Sequence, residues 1–145
     1  TRDDFALSHP GGSLGRRLLV LVRDIMHTGK QLPVVKHDVS IMDALVEMTA
    51  KKLGMTAVVG SQGQLAGVFT DGDVRRLLER NIDIKQALLA EVMTVNCQVI
   101  GQDVLAAEAM QIMEEKKINA LLVVDTDRQV TGALNMHDLI HAGIV

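Results

Sequence analysis

Gly67-Val-Phe-Thr-Asp-Gly-Asp73 recurs 65 positions later as Gly132-Ala-Leu-Asn-Met-His-Asp138. Both stretches place Gly first, a hydrogen-bonding Thr or Asn fourth and Asp seventh, and both begin apolar like a strand and close like a helix start. The same offset pairs Val39 with Val104, Ala44 with Ala109 and Met48 with Met113, so the register holds across a whole unit. Upstream, Asp24-Ile-Met26 matches Glu91-Val-Met93 at an offset of 67, which puts a two-residue indel between Met26 and Val39. Loops absorb such changes most easily. The chain is a tandem duplication.

Thr70 with Asp73, and Asn135 with Asp138, are good helix starts: the first residue accepts a bond from a free backbone N–H, and an acid in the first turn suits the helix dipole. The same groups also suit a ligand. Gly67 and Gly132 interrupt apolar strands, as glycine does at a bulge or where something approaches the backbone closely. Free N–H groups at a helix start favour a phosphate. A carboxylate at the seventh place can accept hydrogen bonds from ribose hydroxyls, as the acid of dinucleotide folds does. Together these features fit a nucleotide.

At 145 residues the chain makes one compact unit or two small halves sharing a core. Each half alone buries its apolar surface poorly. The composition is 48% hydrophobic, yet no apolar run approaches a membrane span, so association of subunits is the expected use of that surface. Trp and Tyr are absent, and eight Met residues join Phe5 and Phe69 as large fillers of an adaptable core. A net charge of −3 with interspersed signs leaves no footprint for nucleic acid. Cys97 stands alone, so no internal disulfide forms, which suits a reducing cytoplasm. His9, His27, His37, His137 and His141 are scattered without zinc-ligand spacing, and no metal site is expected.

Pro33 places Leu32–Val35 at a strand start or edge. Ser40 opens a helix whose Ile41, Leu45 and Met48 share one face until Gly54 ends it. Met55–Val59 and Gln64–Phe69 form a hairpin around Ser61-Gln-Gly63, and Thr70 starts a helix carrying Arg75 and Arg76. After a linker over 81–89 the second unit repeats the order. Gln98–Ile100 is its short strand, and Asp103 is its expected helix cap, ahead of Leu105, Ala109, Ile112 and Met113. A hairpin follows around Asp125-Thr-Asp127, and Gly143 stops the last helix. Arg16, Arg17 and Arg23 flank an apolar Leu18–Val22 run and read as solvated surface in preference to a phosphate site.

The order strand, Gly-x-x-Thr-x-x-Asp and helix, found twice after Asp24-Ile-Met26 and Glu91-Val-Met-Thr94, resembles a tandem pair of cystathionine β-synthase (CBS) domains over roughly residues 22–145. The resemblance implies an α/β (α+β) fold of two β-α-β-β-α repeats, 18–82 and 83–145, with pseudo-twofold symmetry and pairing into a homodimer. It also implies clefts that bind adenosine nucleotides. Thr70 and Asp73 would hold the ribose of one, with Thr56 opposite, Arg76 as phosphate partner or merely a solvated side chain, and Met26, His27 and Thr28 completing it. Asn135 and Asp138 would serve the other, although Asn135 departs from the usual Thr or Ser. His137, in the place of Gly72, would reach a phosphate or occupy the cleft mouth.

Phe5-Ala-Leu-Ser-His-Pro-Gly-Gly-Ser-Leu-Gly-Arg-Arg-Leu18 resembles the end of the sugar isomerase (SIS) domain of bacterial D-arabinose 5-phosphate isomerases, where a CBS pair follows directly. The closing His137-Asp-Leu-Ile-His-Ala-Gly-Ile-Val145 resembles the same family. Residues 1–17 would then be the tail of a truncated SIS domain. The resemblance implies a parent enzyme that interconverts D-arabinose 5-phosphate and D-ribulose 5-phosphate for Kdo synthesis, feeding lipopolysaccharide or capsule. His9 matches that family's catalytic His, a type suited to proton transfer near neutral pH, but its partners would lie upstream. No nucleophile–base constellation appears in the repeats. The resemblance therefore implies a regulatory role, with AMP, ADP or ATP bound between the repeats, or as a feedback alternative a pathway nucleotide-sugar such as CMP-Kdo. The alternative is a dimerisation or tetramerisation module with vestigial clefts.

Overall fold

The computed structural model describes Gly15 and residues 18–144. Apart from Gly15, the expected isomerase tail with His9, Arg16 and Arg17 lies outside the described residues, as does Val145. The first repeat runs through α1 (Val22–Ile25), a 3₁₀ turn (Gly29–Gln31), β1 (Val34–Lys36), α2 (Ile41–Lys51), β2 (Met55–Val59), β3 (Leu65–Thr70) and α3 (Asp71–Glu79). The second has α4 (Leu89–Val92), β4 (Val99–Ile100), α5 (Ala106–Lys116), β5 (Ala120–Val124), β6 (Val130–Asn135) and α6 (Met136–His141). Each repeat builds a three-stranded sheet, in the orders β1-β2-β3 and β4-β5-β6. The first pair in each is parallel and the second is an antiparallel hairpin. Both hairpins slip register at the same place, between Val58 and Val59 and between Val123 and Val124. The duplication extends to that bulge.

Local chemistry accounts for most element ends. Ser40 Oγ accepts the Asp43 N–H at 3.0 Å and starts α2. That helix ends at Lys52, which takes the left-handed conformation (φ 62°), while Gly54 (φ 75°) serves the turn beyond it. Asp103 does not cap α5: the helix starts after Leu105 without a side-chain cap, and Asp103 pairs with Arg23 instead.

The repeats exchange their opening segments. Val22 of α1 is buried among Ala106, Ala109, Met113 and Leu139 of the second repeat, with Ile25 and Met26 packed on the same cluster. Leu89 of α4 lies with Ile41, Ala44, Met48, Phe69 and Leu77 of the first, joined by Val92 and Met93. Burying one such side chain stabilises by about 1.5–3 kcal/mol, so each core depends on the other repeat's chain. Between the sheets, Met55, Ala57 and Val68 meet Leu122 and Ala133 in a third cluster. Backbone pairs lock the exchange. His27 and Ala133 donate N–H to each other's carbonyls at 2.8 and 3.1 Å, and Thr94 and Val68 do so at 2.8 and 2.9 Å.

This exchange explains the two strand glycines. A Cβ on Gly67 would lie 2.7 Å from the Thr94 carbonyl oxygen, and one on Gly132 would run into Met26 Sδ and lie 2.9 Å from its Cγ. The close approach expected at both is made by the other repeat's opening segment. Among the described residues, no helix is long and apolar enough to cross a membrane.

Candidate functional site

β3 and β6 each end on the residue that caps the following helix. Thr70 Oγ1 accepts the Asp73 N–H at 3.2 Å, and Asp73 Oδ2 accepts the Thr70 N–H at 3.0 Å. Asn135 and Asp138 repeat this reciprocal cap at 2.9 and 2.8 Å. Asn therefore replaces Thr with no loss of the cap.

The remaining acceptor positions of the two acids are filled by different groups. Asp73 Oδ1 takes Arg76 Nη2 at 2.5 Å and the Thr94 hydroxyl at 3.0 Å, while the Thr70 hydroxyl donates to Oδ2 at 3.1 Å. Its side chain is only 3% exposed, and a carboxylate has about four acceptor sites, so Asp73 is close to saturated. Asp138 Oδ1 instead meets His27 Nε2 at 2.8 Å. His27 and Thr94 hold equivalent places, just after the Met of each opening segment. His27 was expected beside Thr70 and Asp73, but the exchange carries it to the second repeat and brings Thr94 to the first.

An open cleft of about 930 Å³ lies between the repeats. The first repeat contributes Leu53–Met55 and Thr70–Gly72, and the second Ile118–Ala120 and Asn135–His137. Thr94 and residues 96–98 line it as well. Lys52, Arg75, Arg76, Lys116 and Lys117 also face it, against Asp71 as the one lining carboxylate among the described residues. Such a cleft concentrates positive potential and attracts anions. Lys52 and Lys117 occupy equivalent helix ends, both left-handed at φ 62° and 55°.

Of the expected site residues, Thr70, Arg76, Asn135 and His137 line this cleft. Asp73 and Asp138 stand behind it as caps. Thr56 is not on its wall: it is fully enclosed and donates its hydroxyl to the Ala57 carbonyl at 3.1 Å. Both faces of β2 are covered, so alternation does not expose it. His137 is exposed and stacks its ring on His141, centroids 6.3 Å apart. Sequence reasoning missed Lys52, Lys117 and Asn96, and it did not pair Thr94 with Asp73. The lysines were detectable, since both stand at one position of the repeat. Cys97 also lines the cleft, and burial pushes its thiol pKa up, which keeps it protonated near neutral pH.

A duplicated unit with exchanged openings and two capped acids beside a shared cleft is the architecture of a CBS domain pair. The CBS domain family matches residues 22–80 and 89–144, and the chain belongs to it. Over all 145 residues it is 56% identical to the arabinose 5-phosphate isomerase KdsD of Pseudomonas aeruginosa and 47% identical to that of Escherichia coli K12. It spans 44% of the length of each of these relatives, matching their C-terminal region. CBSX2, a CBS-pair protein of Arabidopsis thaliana, has been solved with AMP; that structure is 28% identical, with a TM-score of 0.74 over 86% of this chain and 96% of its own. The CBS pair of MJ0100, solved with 5′-methylthioadenosine and S-adenosyl-L-methionine, shares the fold at a TM-score of 0.76 and 24% identity, covering 84% of this chain and 94% of its own.

Proposed function

We propose that the chain is the regulatory nucleotide-binding module of an arabinose 5-phosphate isomerase acting in Kdo synthesis. The carrying observation is the basic cleft between two capped helix starts. Its volume suits a nucleotide, and its cations suit the phosphates. Thr70 and Asp73 hold the ribose once Arg76 swings from Asp73 onto a phosphate, and Lys52 and Lys117 close on the phosphate chain from opposite repeats. Asn135, Asp138 and His137 form the corresponding second position. The whole-chain likeness to KdsD and the AMP held by CBSX2 support this reading. AMP, ADP or ATP would report energy state, whereas CMP-Kdo would report pathway product, and each carries the sugar and phosphate that the cleft addresses. Regulation requires unequal affinity for two arrangements of the repeats; a tenfold difference is about 1.4 kcal/mol.

Calorimetric titration of AMP, ATP, CMP and CMP-Kdo tests the proposal, with Asp73→Ala and Lys52→Ala alongside. The expected result is saturable binding by the unaltered chain that is weakened in both variants. Failure of all four to saturate at millimolar concentration overturns it.

One observation supports a second, associative reading. Met42 and Val46 lie one turn apart on α2 and are 50% and 62% exposed. Leu78 and Leu88 are likewise exposed, and apolar side chains of this kind suit pairing of two copies. Sedimentation that shows only monomer across a wide concentration range would sink this reading.

A further inference from the structure

The two ligand positions differ in what already occupies them. At the first, Asp73 meets the neutral Thr94 hydroxyl and Arg76, a half-exposed side chain that lines the open cleft and is free to turn toward a phosphate, whereas the backbone of His27 is pinned to Ala133. At the second, His27 sets Nε2 2.8 Å from Asp138 Oδ1 and Nδ1 3.2 Å from Gln31 Oε1. An imidazolium can donate to both partners, whereas a neutral ring donates from one nitrogen only. Asp138, from α6, is the charged group acting on the ring; Gln31, from its own segment, is neutral, and β6 meets His27 through the Ala133 backbone. Met26, the preceding residue, lies over Gly132, so the whole opening segment is pressed against this position. The side chains of His27 and Asp138 are 29% and 16% exposed.

We propose that His27 is a built-in occupant of the second ligand position: it holds the Asp138 carboxylate that a sugar would need, so one chain takes one nucleotide, on the Thr94 side. This rests on the nucleotide reading above. Burial pulls the His27 pKa down, but the hydrogen bonds to Asp138 and Gln31 and the Asp138 charge outweigh it, leaving the pKa above the usual 6.5. The pair is therefore complete below about pH 6.5 and loosens as pH rises through the raised value, when one N–H is lost. The hold on Asp138 weakens toward alkaline pH, where the neutral ring offers one uncharged N–H donor in place of a charged one.

The test titrates ATP into the full chain and into His27→Thr, which copies Thr94, at about pH 6 and about pH 8.5. One ATP per chain is expected for the unaltered protein at the lower pH, with a second, weaker event at the higher, and two events for His27→Thr at both. Two events in the unaltered protein at the lower pH, or one in His27→Thr throughout, overturn the proposal. NMR titration of the His27 ring in the unaltered protein and in Asp138→Asn reads the pairing without nucleotide, and its pKa is expected to fall in the variant. An unchanged His27 titration alongside one-to-one ATP binding sinks the occupancy idea alone. Absence of ATP binding in both proteins, with the His27 shift intact, sinks the nucleotide reading and with it this one.

Discussion

Gly132→Ala probes the exchange of opening segments directly. The new methyl would lie 2.9 Å from Met26 Cγ, well inside ordinary carbon–carbon contact. Overpacking of this kind costs about 1–3 kcal/mol. Met26 is only half-buried, so Met26→Ala alone costs about 2 kcal/mol, the low end of the range for such truncations. Truncation also removes the Sδ and Cγ that the methyl would strike and leaves only Cβ, at 3.2 Å, to give by a few tenths of an ångström. The double variant is then more stable than the sum of the single changes predicts, by about 1–2 kcal/mol. Gly67 provides the contrast. There the methyl meets the Thr94 carbonyl oxygen at 2.7 Å, and that oxygen is fixed by the Val68 N–H at 2.9 Å. Met93→Ala relieves the 3.0 Å contact with Met93 Sδ but cannot move the backbone carbonyl, so its coupling to Gly67→Ala stays smaller than that at Gly132. Urea unfolding of all six variants, compared by midpoint at constant m, measures both cycles. Additive costs at Gly132 and Met26, or equal rescue at Gly67, would refute the packing of each opening Met over the other repeat's strand.

Asp73→Ala removes a cap and charge-assisted bonds from a buried site. It is expected to cost about 3 kcal/mol, lowering Tm by roughly 6–12 °C in calorimetry. Lys52→Gly and Lys117→Gly relieve left-handed strain and should each raise stability by about 1 kcal/mol while weakening ATP binding several-fold, with melts and titrations read side by side. His27 has a raised folded pKa, so its contribution to stability is full below about pH 6.5 and is lost as pH rises through the higher folded pKa. His27→Gln should flatten that slope in unfolding curves recorded across pH. Met42→Lys combined with Val46→Lys should shift sedimentation toward monomer without lowering the unfolding midpoint, because both side chains are exposed.

The features legible in the sequence are those made within a few residues or by repetition. The offset between Gly67 and Gly132 exposed the duplication, and the reciprocal caps Thr70–Asp73 and Asn135–Asp138 join positions three apart. Turn residues marked both hairpins for the same local reason. Even the close approach at the two glycines could be read, but not what approaches. That depends on which repeat each opening segment packs against, and short-range pattern carries no record of it. His27 reaches Asp138 across 111 positions and Thr94 reaches Asp73 across 21, each by a swap that buries Val22 and Leu89 in the opposite core. The same packing covers both faces of β2, which removes Thr56 from the cleft, and turns Lys52 and Lys117 toward a common space. The sequence by itself determined the repeat, its elements and the capped acids; the tertiary structure alone decided which group answers each acid, because that choice is made by burial between distant segments.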